Sequence, residues 1–112
     1  MEREEIEKLS REYSIIQEQL QSMAMQREQF NERKEEYKEA FKEIEASTGK
    51  VYLAVGGAIV EVQKDYALKN IKEKEEVSDM RMSIVKKQYD DLVKKEQALR
   101  TEINSAIKEL KG

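Results

Sequence analysis

The side chains here that could do chemistry are hydroxyls, amines and carboxylates, because the sequence contains no His and no Cys. That removes the imidazole base, the thiolate nucleophile, the disulfide and the usual N/S zinc site. Ser and Tyr hydroxyls remain, but no base is spaced to activate one, so an enzyme is the least favoured class. Thr48-Gly49-Lys50 has the outline of a phosphate loop. It lacks the earlier glycine, since position 44 is Ile44, and Val51 stands where a Ser or Thr should touch Mg²⁺. Asp90 and Asp91 are adjacent, so on a helix they diverge by about 100°, a poor geometry for a carboxylate dyad or cation cradle. No catalytic residue, cofactor or metal is expected. What remains to the chain is the chemistry of apolar surface.

At 112 residues, 38% hydrophobic and 40% charged, the chain has length for one domain and is lean for a compact core. With no Pro, four Gly and a bias to Glu, Lys, Gln and Leu, it suits long helices. Disorder is the competing reading, and it fails wherever the apolar residues are periodic. A net charge of −3 argues against nucleic acid as the main ligand. The opening Met-Glu-Arg-Glu-Glu-Ile-Glu-Lys lacks the apolar centre of a secretory signal, and no stretch nears the roughly 20 apolar residues that span a bilayer. A soluble intracellular protein without a membrane partner is the default expectation.

Periodicity supplies the elements. Ile6, Leu9, Tyr13, Ile16, Leu20, Met23, Arg27, Phe30, Lys34, Tyr37, Phe41 and Ile44 follow strict 3,4 spacing, and all but Arg27 and Lys34 are apolar. This is a heptad seam, in which those two long stems can pack while their charges reach outward and set register. Met23 fits the seam as core; Met25 lies beside it. A second seam runs Leu68, Ile71, Glu75, Ser78, Met82, Val85, Tyr89, Leu92, Glu96, Leu99, Ile103, Ala106 and Leu110. Glu75, Ser78 and Glu96 are its gaps, with Val77 and Met80 displaced beside the first two, and a looser seam is expected there.

Between the seams the helical period stops. Ser47-Thr48-Gly49 supplies a helix stop, with Gly49 suited to a left-handed cap. From Val51 to Val62 two β-branched runs flank Gly56-Gly57, which predicts a hairpin with a two-residue primed turn. Asp65 can cap the second helix. The expectation is therefore a single domain over 1–112: helix 1 at about 3–47, hairpin at about 51–62 and helix 2 at about 65–111. The fold class is mainly α, a long antiparallel two-helix coiled coil with one β-hairpin between the helices. Neighbours across the coil should have residue numbers that sum to about 113.

In that hairpin Val51, Leu53, Val55, Ala58, Val60 and Val62 share an aliphatic face, while Tyr52, Ala54, Ile59 and Glu61 share the other. Leaving such side chains wet forgoes roughly 1.5–3 kcal/mol each, and a lone ribbon also has two unpaired edges. The ribbon should therefore join those of other subunits in a shared sheet or barrel. Its assembly residues would be Val51, Leu53, Val55, Ala58, Ile59, Val60 and Val62. The alternative is a hairpin folded back as a cap on its own coil.

Helix, Val51-Tyr52-x-x-Val55-Gly56, a return strand ending Val60-Glu61-Val62, then Lys64-Asp65-x-Ala67-Leu68 opening a second heptad helix: this order resembles the β-type subunits of the prefoldin family. The likeness covers almost the whole chain, and its specific part is about residues 50–76. It implies an ATP-independent chaperone in which two α-type and four β-type subunits join through a β-barrel. Coiled-coil arms would then hold non-native protein and deliver it to a group II chaperonin, in the cytosol.

A holdase must offer apolar surface that is accessible without driving self-aggregation, and a coiled coil does so where it ends. The client-binding candidates are Ile6, Leu9, Tyr13, Ile103, Ala106, Ile107 and Leu110, with Met1 if retained. Ile107 lies off the seam and widens the stripe. Several arms on one client would add avidity, so each contact can be weak. The competing class is a structural coiled-coil adaptor or tether with one folded partner.

Overall fold

The computed structural model describes residues 2–111. Met1, a candidate contact, lies outside them. The chain runs α1 (Arg3–Ala46), β1 (Val51–Val55), β2 (Ala58–Val62) and α2 (Lys64–Lys111). The apolar period continues through both helices without a proline to interrupt it, and Glu4 and Glu5 complement the dipole of the first turn of α1. No helix of the described residues is long and apolar enough to cross a membrane.

The chain packs as two units. One, the hairpin unit, is Glu28–Ser83; the other, the two-helix unit, joins residues 2–27 with 84–111. In the hairpin unit Lys34 pairs with Asp79 at 3.6 Å and Lys72 lies 5.3 Å from the centre of the Phe41 ring. In the two-helix unit Arg27 sits 5.1 Å from the centre of the Tyr89 ring, and the Tyr13 hydroxyl reaches Glu96. Within each unit the helices are thus antiparallel, near the register expected. Arg27 and Lys34 make cross-helix contacts from seam positions.

The seam of α1 is more sheltered than its flanks, yet none of its residues is fully buried. The buried positions of the coil lie on α2: Ala67, Ile71, Ser78, Val85 and Ala106. Small residues on one helix let the large side chains of the other approach, and two strands cannot surround an aromatic ring on all sides. The expectation of a loose seam at Ser78 is corrected by this arrangement. Ser78 is 6% exposed, and Val77 and Met80, rather than filling in beside it, face outward.

Two helix ends also differ from expectation. Gly56, at φ 60°, is the only residue with positive φ among those described, so Gly49 is not a left-handed cap. The end of α1 is closed by Lys64, whose Nζ donates to the carbonyls of Glu45 at 2.6 Å and Ser47 at 3.0 Å. With no basic residue in its own last turn, α1 takes its cation from the start of α2. Asp65 stands inside the first turn of α2 rather than before it. The amide of Ala67 donates to the Gln63 carbonyl, so the helix opens at Gln63.

Candidate functional site

In the hairpin unit, β1 and β2 pair antiparallel as Val51↔Val62, Tyr52↔Glu61, Leu53↔Val60, Ala54↔Ile59 and Val55↔Ala58. That is the register a two-residue turn dictates. A positive φ at the first turn residue alone is the signature of a type II′ turn, so Gly56 needs to be glycine and Gly57 does not.

Coverage falls along this ribbon from base to turn. Val51 is 8% exposed and Leu53 and Val62 are half-buried. Val55, Ala58 and Val60 are exposed, as are Tyr52 and Ile59 on the opposite face, with Ile59 at 77%. Of the assembly residues inferred from sequence, Val51 is thus the one covered within its own chain. The hairpin unit already covers it, because the ribbon's base lies where the chain enters and leaves the helices. The uncovered part is the outer half, apolar on both faces and flanked by two strand edges that no third strand occupies among the described residues.

In the two-helix unit the candidate contacts separate by exposure. Ile6, Leu9, Tyr13 and Ile103 are half-buried seam residues. Ala106 is 2% exposed, as its seam position and small size dictate. Ile107 and Leu110 are exposed, Leu110 at 58%. Sequence periodicity did not single out Ile15, which is exposed on the outer face of α1. Its type, apolar at a non-seam position, was the available signal.

Tyr13 is held by a polar contact. Its hydroxyl donates to Glu96 Oε1 at 2.7 Å, and Arg100 Nε lies 3.7 Å from the same oxygen. The bond to Glu96 raises the pKa of Tyr13 above its ordinary value, partial burial adds to the rise, and the Arg100 charge opposes it. Glu96, read as a gap in the seam, is therefore a seam member satisfied by a tyrosine.

Comparison with known proteins agrees with this geometry. The family model described as Prefoldin subunit matches residues 4–109. A prefoldin subunit beta of Pyrobaculum calidifontis is 28% identical over 109 residues, 96% of this chain and 87% of that one. That of Thermococcus kodakarensis is 34% identical over 94 residues, 82% of this chain and 80% of the relative. The crystal structure of the prefoldin beta subunit from Thermococcus strain KS-1 superposes with a TM-score of 0.83 at 31% identity, covering 91% of each chain.

Proposed function

This chain belongs to the prefoldin family of chaperone subunits, and from that premise we propose that it is a β-type subunit of an ATP-independent holdase. In this reading the outer half of the hairpin joins those of other subunits in a β-barrel, as two α-type and four β-type chains. The ends of the coil bind unfolded polypeptides in the cytoplasm, keep them from aggregating and pass them to a group II chaperonin. Ile6, Leu9, Tyr13, Ile103, Ala106, Ile107 and Leu110 supply the contact surface, the covered Ala106 only where the end of the coil frays. The observation that carries the holdase reading is Ile107, off the seam of α2, and Leu110, its last member, both exposed although the preceding seam positions Ile103 and Ala106 are covered. Apolar side chains on a helix with its own hydrogen bonds satisfied attract other apolar chains without dictating their sequence.

The test removes residues 1–5 and 106–112 together, or replaces Ile107 and Leu110 by Ser where the shorter chain fails to fold. Complexes reconstituted with an α-type partner are compared by sedimentation and by light scattering of several unrelated denatured proteins. Assembly should persist while protection falls several-fold. Full protection by the altered complex, or failure of the intact one to protect any of these proteins, overturns the reading and favours a tether with one folded partner.

A further inference from the structure

The hairpin unit holds a groove of about 320 Å³ between α1 and α2, lined by the rings of Phe30 and Tyr37 and, at its outer side, by the half-exposed Val77. Volume on that scale admits one or two large side chains. The lining is cationic in an acidic chain. Arg33, Lys74 and Arg81 stand against a single carboxylate, Glu73, while nearby Asp79 is neutralised by Lys34. Lys74 and Arg81 have no acid three or four residues away on α2, and no ion pair holds either among the described residues. The groove is also lined by Asn70, whose Oδ1 is buried without a hydrogen-bond donor.

We infer that this groove docks an acidic segment of another polypeptide. An apolar side chain of the segment enters over Val77, and its carboxylates meet Lys74 and Arg81. Cations this few, on an apolar lining, do not make the continuous basic track that a nucleic-acid strand requires. The groove shares no residue with the hairpin's outer half or with Ile107 and Leu110, so the inference stands apart from the holdase reading.

The probe is a fluorescein-labelled peptide of repeated Glu-Asp-Leu-Phe units, followed by anisotropy on the full chain in its assembled form. Saturable binding that weakens with added salt is expected, with none for the peptide carrying Lys at each acidic position. Lys74→Glu with Arg81→Glu should weaken binding about tenfold. Val77→Ser, at a half-exposed position that leaves the coil intact by circular dichroism, should weaken it about fivefold. Equal binding of both peptides, unchanged affinity in either variant, or displacement by poly(U) overturns the inference.

Discussion

The hairpin and the last turns of α2 expose apolar side chains to a similar degree, Val55 and Leu110 both at 58%, but on different backbones. A helix satisfies its own N–H and C=O groups, so what it exposes is greasy and non-directional. A two-stranded ribbon adds two rows of unpaired donors and acceptors, which demand a partner strand in a fixed register. One surface suits any apolar chain that touches it briefly; the other suits only another strand, permanently. The backbone under the side chains, rather than their hydrophobicity, separates a transient contact from an assembly.

The largest expected effect follows from that contrast. Val60→Asp places a charge on the exposed aliphatic face of β2 without disturbing the covered base at Val51. A carboxylate there cannot be buried in a shared sheet without a partner charge. The variant should sediment as a much smaller species, with its helical circular dichroism retained. An oligomer of unchanged size would mean that the ribbon is not the assembly element.

A smaller effect is expected where the ribbon joins the helices. Lys64→Met removes the ammonium group from the carbonyls of Glu45 and Ser47 while keeping the length of the side chain. The last turn of α1 then loses its cation, at a cost of about 1 kcal/mol after allowance for solvent. Urea unfolding should show a lower midpoint with an unchanged slope. A midpoint equal to that of the unsubstituted chain would show that the contact contributes nothing to stability.

Lys64 also marks the limit of what the sequence discloses. The α1 seam from Ile6 to Ile44 is legible because heptad spacing is a property of one helix, and the hairpin register is legible because Gly56-Gly57 leaves one way to pair the strands. The closure of α1 by Lys64 joins residues 17 and 19 apart through a side chain that sequence marks only as charged. Ser78 and Glu96 read as gaps for a related reason. Periodicity scores a residue by its own type, whereas a small serine or a paired carboxylate is accommodated by what faces it. The groove containing Asn70 is likewise invisible until two helices are set side by side.

The two regions also differ in how their polar contacts respond to pH. Lys64 bonds to backbone carbonyls, which do not titrate, whereas the contact of Tyr13 with Glu96 runs through a hydroxyl that does. Because the pKa of Tyr13 is raised in the folded chain, its stabilising contribution is fully present below the unfolded value of about 10. It is lost as pH rises through the folded value, when a tyrosinate would face the Glu96 carboxylate. Tyr13→Phe should therefore be modestly less stable than the unsubstituted chain at neutral pH, and the gap should close above about pH 10. Paired thermal melts across that range cancel every pH effect that is common to both proteins. A gap that stays constant with pH would show that the Tyr13 ring, and not its hydroxyl bond to Glu96, is what the two-helix unit depends on.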